Sequence, residues 1–308
     1  MSTNFHQIFF LCLSCFSLPL LADDSAPKVV GKLPSGKIVF MFSNSSKQHA
    51  VFSLSKENVL QRLWKGSGDN EVISISRDGK KIIFGSETEP KILDLTSNVI
   101  TTLPPNTFQP DLSPDGLNVV SASFDWQTGI SSMQIQEIGG TNKRTLLSGK
   151  GHIRFPSWSP DGSKILFTST LEGPPLAPSV WIMNADGSNK VNISNNTETC
   201  WSPSWSHDGS HIAWAGERPT KVGTPYDIRN IAISKSDGTD QKDLKIRSED
   251  KTPSWSPDGK WIAFISTQRT YGAAASVGLW IMSSDGSNRA ELLQIFDGDA
   301  IGKISWTE

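Results

Sequence analysis

PSWSPDG, Pro156 to Gly162, followed by KILFTS, Lys164 to Ser169, is the stretch from which the rest of the chain can be read. It recurs. Pro203 to Gly209 reads PSWSHDG ahead of His211-Ile-Ala-Trp, and Pro253 to Gly259 reads PSWSPDG ahead of Trp261-Ile-Ala-Phe-Ile. Two divergent copies come earlier, PDLSPDG at Pro110 to Gly116 and ISISRDG at Ile73 to Gly79. Self-similarity at a period of roughly 40 to 50 residues marks a repeat architecture, in which each unit buries its apolar face only against its neighbours.

Each copy opens a longer pattern, clearest from Pro156 to Ser194. After the PSW come three short apolar runs, Ile165-Leu-Phe, Val180-Trp-Ile-Met and Val191-Asn-Ile, with Asp186-Gly187 between the last two. Asp-Gly turns a hairpin because Gly accepts positive φ without a Cβ clash. Four short strands joined by such turns make one antiparallel sheet per repeat. Five complete sheets can be traced, and the two ends supply a sixth. Lys303-Ile-Ser-Trp matches the PSW strand without what should follow it, and Pro34-Ser-Gly-Lys-Ile-Val-Phe has the turn and second strand without a first. The expected fold is therefore all-β: a six-bladed β-propeller of four-stranded antiparallel blades from about Val30 onward, closed by the C-terminal strand completing the N-terminal blade.

Strand alternation sends Trp158, Trp205, Trp255 and Trp306 to one face of their sheets and Ser157, Ser204, Ser254 and Ser305 to the other. A large ring against small residues of the next blade packs neighbouring sheets closely, so these tryptophans are read as structural. Ile75 and Leu112 hold the same position in the divergent copies.

A formal net charge of -2 leaves no basic excess to attract nucleic acid. Beyond the N-terminus no apolar run approaches the roughly 20 residues of a membrane helix, so no membrane span and a soluble mature protein are expected. Ile8 to Leu21 has the length of a signal-peptide core and ends in Leu20-Leu21-Ala22 before Asp23-Asp24. Residues 1–22 are read as a cleaved secretory signal and 23–308 as the propeller; a lipoprotein reading would use Cys15 instead. With Cys12 and Cys15 removed, Cys200 is the one mature cysteine. No internal disulfide is expected, and the thiol reads as a small packed residue.

PSWSPDG, an apolar strand and then WIMNADG (Trp181 to Gly187) together resemble the repeats of the TolB-type propeller family, WD-like repeats of periplasmic proteins and of propellers attached to peptidases. The resemblance covers nearly the whole mature chain. It implies a periplasmic, protein-binding propeller, by analogy with TolB and its peptidoglycan-associated lipoprotein partner. Here the partner is expected to be an envelope protein or glycopeptide and the protein a monomer. The separate N-terminal α/β domain of TolB is not expected, because few residues lie between Ala22 and the first strand, and this leaves a role in the Tol system open.

In an up-and-down four-stranded sheet the first and third turns lie at one end and the remaining connections at the other. The short Asp-Gly turns occupy the first end throughout, so the long connections, Glu172 to Ser179, Glu217 to Asn230 and Gln268 to Val277, emerge together on the opposite face, where recognition is expected. Approaches to the inner strands add Asp69, Glu71, Asn106, Phe108, His152, Arg154, Trp201, Glu249 to Lys251 and Asp299 at the channel mouth. The binding candidates are His152, Arg154, Phe155, Trp201, Arg218, Tyr226, Asp227, Arg229, Glu249, Asp250, Lys251, Arg269 and Tyr271, rich in the aromatic and Arg side chains that dominate interface energetics. The bland alternative is a solvated rim with aromatics packed under loops. No catalytic residue, cofactor or metal site is assigned: HExxH, GxSxG, a P-loop and paired His/Cys spacing are absent, and Asp-Gly needs no calcium to turn a hairpin. An acidic rim of Asp69, Glu71, Glu249, Asp250 and Asp299 could still gather a cation. The competing function is a propeller enzyme, a lyase or hydrolase acting on an oligosaccharide or peptide at the channel mouth.

Overall fold

The computed structural model describes residues 27–67, 72–86, 89–105, 107–140, 142–172, 177–194, 199–217, 229–244, 249–268, 276–295 and 299–308. The proposed signal stretch 1–22 lies outside them. All regular structure among the described residues is strand, arranged as six up-and-down antiparallel blades. None of it is a helix long and apolar enough to cross a membrane.

Blade 1 runs from the channel outward as Ala300–Thr307, Lys37–Ser43, Gln48–Ser55 and Leu60–Ser67. The strand from the C-terminal end thus completes the sheet begun near the N-terminus, with Ile38 opposite Trp306 and Val39 opposite Ser305. Blades 2 to 6 start with the inner strands Val72–Ile75, Phe108–Leu112, Ile153–Trp158, Thr199–Trp205 and Glu249–Trp255, each followed outward by its next three strands. A second clasp was not foreseen from the sequence. Lys28–Val29 pairs antiparallel with the outer strand of blade 6, Ala290–Ile295, before the chain crosses to blade 1. The crossing is tight: a Cβ on Gly31 would stand 2.0 Å from the Glu291 carbonyl oxygen.

Burial follows distance from the channel. Second strands are covered on both faces by neighbouring blades, so Ile38 to Phe42 and Ile165 to Ser169 are buried without alternation. On the outer strand Lys143–Lys150 every residue is exposed or half-buried. The core accordingly divides into six clusters, one for each contact between adjacent blades. Each holds the Trp-position residue of one blade against the preceding blade: Ile75, Leu112, Trp158, Trp205, Trp255 and Trp306. The intervening serines face the next blade, as where Ser305 Oγ donates to the Ser76 and Arg77 carbonyls at 3.0 and 2.9 Å. Cys200 is buried in the cluster between blades 4 and 5.

The Ser-x-Asp-Gly turn explains its own composition. In blade 4, Ser159 Oγ donates to Asp161 Oδ1 at 2.6 Å and accepts from Lys164 N at 2.9 Å, while Ser163 N also donates to Asp161. The same bonds recur at Ser206 and Asp208. Gly162 and Gly209 close these turns at φ of 73° and 72°. The Ser159 hydroxyl, with the Ser163 amide and hydroxyl, brings the Asp161 carboxyl down to about 2. The Ser206 hydroxyl and Ser210 do the same for Asp208, also about 2, against some opposition from burial. These aspartates lock turns.

Candidate binding site at the channel and loop rim

Each PSW proline sits in the middle of an inner strand, where it has no N–H to give to the ladder. Such a residue is tolerated at a bulge. The pairing register shifts at that point in blades 3 to 6. The residue before each proline is left-handed, with φ of 47° at Gln109, 52° at Phe155, 48° at Ser202 and 48° at Thr252. A positive φ on a residue other than Gly costs about 1–3 kcal/mol, so flanking ladders must hold all four in place. Together with Lys303 of blade 1 they line a central cavity of about 1640 Å³. Its wall is knitted from blade to blade: Phe155 N donates to Gln109 Oε1, and Trp158 N to Asp111 Oδ2, both at 2.9 Å.

On the loop face an aromatic stack joins blades 3 and 4. The His152 imidazole lies over Phe124 with centroids 4.7 Å apart and planes 30° apart, and Trp126 meets Phe124 edge-on at 4.7 Å. Trp126 stands at the tip of a turn in which Asp125 Oδ1 accepts from Gln127 N at 2.8 Å, and the residue is 86% exposed. Leaving that much apolar area in water forgoes about 25 cal/mol per Å² of burial, a deficit that a partner covering the ring would remove.

The residues anticipated from the sequence separate in space. Phe155 and Phe108 line the cavity. Trp201 does not; half-buried against the core between blades 5 and 6, it supports Phe155 edge-on at 6.4 Å. Arg154 and Lys251 are half-buried on their inner strands and do not line the cavity. Glu249 is half-buried, its backbone paired with Thr267 and, across from blade 6 to blade 5, with Arg229. Asp250, expected on a solvated acidic rim, is fully buried. Arg289 grips it with Nη1 to Oδ2 at 2.7 Å and Nη2 to Oδ1 at 2.9 Å, the guanidinium lying over Phe264 and Trp280 at 4.6 and 5.0 Å. This bidentate pair is part of the packing between blades. Asp299 accepts from Ser45 N at 3.0 Å and so fastens the loop-face turn of blade 1. Asp69, Glu71, Asn106, Arg218, Tyr226, Asp227, Arg269 and Tyr271 lie outside the described residues. Among the described residues no three His, Cys, Asp or Glu side chains converge to hold a metal ion.

Phe124 and Trp126 are absent from the sequence candidates, which were drawn from the longer connections and the approaches to the inner strands. A large aromatic in the polar run Asp125-Trp-Gln-Thr-Gly129 was the available signal.

A family model described as the TolB beta propeller domain matches residues 91–307. TolB from Acinetobacter baumannii superposes with a TM-score of 0.69 at 19% identity, over 91% of this chain and 68% of that one. A putative TolB from Agrobacterium tumefaciens gives 0.62 at 17% identity, over 89% and 99% of the two chains. Oligogalacturonate lyase from Vibrio parahaemolyticus gives 0.59 at 15% identity, over 89% and 87%. At these identities the likeness is one of fold. No curated protein matches the sequence.

Proposed function

This chain belongs to the TolB beta propeller domain family, and from that premise we propose that it is a periplasmic binding protein that recognises a cell-envelope protein or glycopeptide through its loop face. Residues 1–22 serve as the signal peptide and 23–308 form the mature, monomeric propeller. The observation that carries the reading is the exposed Trp126 indole braced on Phe124 and His152. A rigid aromatic with few rotamers to lose is the type of side chain that anchors interfaces. The support it receives from two blades means that little ordering remains to be done on binding.

The test is quantitative capture of envelope components by the mature chain, with affinity then measured for the component retained. Trp126→Ala should weaken binding by about 1–3 kcal/mol while leaving the melting temperature unchanged, since the ring packs against little else. Lys164→Glu, on the exposed turn face, should leave binding intact. The reverse pattern, with loss from Lys164→Glu and none from Trp126→Ala, would assign recognition to the other face.

A further inference from the structure

The turn-side end of the channel carries a constellation unrelated to the aromatic stack. In the repeat Trp-Ser-x-Asp-Gly, position x is proline in three blades, Pro114, Pro160 and Pro257. In blade 2 it is Arg77 and in blade 5, directly across the ring, His207; the residue in register in blade 1 is Glu308. All three line the central cavity. Arg77 Nη1 reaches across to the Ser206 carbonyl of blade 5 at 3.3 Å, and His207 Nε2 meets the Trp306 carbonyl of blade 1 at 2.8 Å. A carbonyl only accepts, so His207 holds its proton on Nε2 and turns Nδ1 elsewhere.

The Arg77 guanidinium is under-satisfied. It has five N–H donors and, among the described residues, makes one long hydrogen bond. Among the described residues no carboxylate lies within ion-pair distance of it. The acids around it are engaged: Asp78 accepts from Ser76 Oγ and Lys80 N, and Asp111 from Trp158 N. Burial pulls the Arg77 pKa down, with Asp111 acting against it. Lys37, Lys80 and Lys81 line the same cavity, as do Asp115, which accepts from Ser113 Oγ and Leu117 N, and Glu308. A half-buried cation with spare donors, facing the central cavity, is arranged for an incoming oxyanion, which a guanidinium fork meets with two parallel bonds.

We infer that the turn-side end of the channel is an oxyanion site, in which a carboxylate or phosphate group docks on Arg77 with His207 as its second donor. His207 reports occupancy. Burial first, and then the charge of Arg77, hold its pKa below the ordinary histidine value, against the Trp306 carbonyl, Glu308 and Asp208, which raise it. An anion on Arg77 cancels that repulsion, so binding should bring a proton onto Nδ1, where it becomes a donor to the ligand.

The experiment is titration calorimetry of the mature chain at pH 7 and low ionic strength, with inorganic phosphate in one arm and N-acetyl-dialanine, a free peptide carboxylate, in the other. Repeating the latter in buffers of different ionisation enthalpy gives the protons taken up. Binding of either probe is expected, with net proton uptake read in the carboxylate arm alone, because phosphate exchanges protons of its own near pH 7; the arm that binds more tightly identifies a free phosphate or a chain terminus as the natural source. Arg77→Gln, which keeps an amide to meet the Ser206 carbonyl, should weaken binding at least tenfold. His207→Gln keeps a donor to the Trp306 carbonyl and should still bind, but without proton uptake. The inference is overturned if neither probe binds at 10-millimolar order, a Kd worth less than about 3 kcal/mol, or if Arg77→Gln binds as the parent does. Should Arg77→Gln fail to fold, proton uptake persisting in His207→Gln overturns it equally.

Discussion

Trp306→Ala measures what closing the ring contributes. The side chain is completely buried between blades 6 and 1, and truncating such a residue costs about 3–5 kcal/mol through lost packing and the cavity left behind. Its Nε1 also donates to the Ser35 carbonyl at 2.9 Å, and removing that bond adds about 1 kcal/mol. The expected loss is therefore about 4–6 kcal/mol, a large part of the roughly 5–15 kcal/mol that holds a typical domain together. Trp158 supplies the control. It occupies the same register between blades 3 and 4 at 7% exposure, but its Nε1 has no hydrogen-bond partner among the described residues. Trp158→Ala should accordingly cost about 1 kcal/mol less than Trp306→Ala. Urea unfolding followed by far-ultraviolet circular dichroism gives both values from the midpoints, provided that the slope is conserved. If Trp306→Ala loses less than about 2 kcal/mol, or less than Trp158→Ala, then the seam between the first and last blades is not held as described.

Asp250→Asn should cost about 3–5 kcal/mol in the same assay, because it breaks the buried bidentate pair with Arg289 from one side; replacing Asp250 by Leu and Arg289 by Met together should recover most of it, and a near-neutral Asp250→Asn would contradict the packing role. Acid should destabilise the fold through the turn aspartates. Asp161 and Asp208 titrate at about 2 in the folded chain against an ordinary 3.8, so their contribution is complete above about pH 4 and drains away as pH falls toward 2. Melting temperatures across that window should fall less steeply in Asp161→Asn, and an unchanged slope would count against the turn locks.

The blades were legible because three physical constraints coincide in blades 3 to 6: a short apolar strand, a proline confined to a bulge, and an Asp-Gly turn needing positive φ. The split blade was equally plain, since Lys303-Ile-Ser-Trp has no partner except the strand after Pro34. What escaped were features set by tertiary geometry. Lys28–Val29 is too short to show a strand period, so its pairing with blade 6 left no trace in the pattern. Asp250 looked like a rim residue because its position in other blades, held by Thr107, Ile153, Cys200 and Ile301, could not be known to be buried in every case. Its partner Arg289 lies 39 residues away, beyond any local spacing rule. Arg77 and His207 were visible as departures from proline, but only the ring brings opposite blades close enough to give those departures a common purpose.

The two clasps also fix the order of events in assembly. Ser35 and Trp306, joined by a hydrogen bond, are 271 residues apart, whereas every other strand pairing within a blade is made between neighbours in sequence. Loop-closure entropy rises only logarithmically, by about 0.6 kcal/mol for each doubling, so the long separation weighs lightly on the finished molecule. It weighs on the rate, because distant pairings are the slow ones. Until they form, the chain is an open crescent in which two strands lack their native partners, Lys37–Ser43 on its channel side and Ala290–Ile295 on its outer side. Each is shaped to accept a strand it has not yet met, and another molecule carries the same two strands. At high concentration the competing product is therefore an exchanged pair, in which each copy's final strand completes the other's first blade.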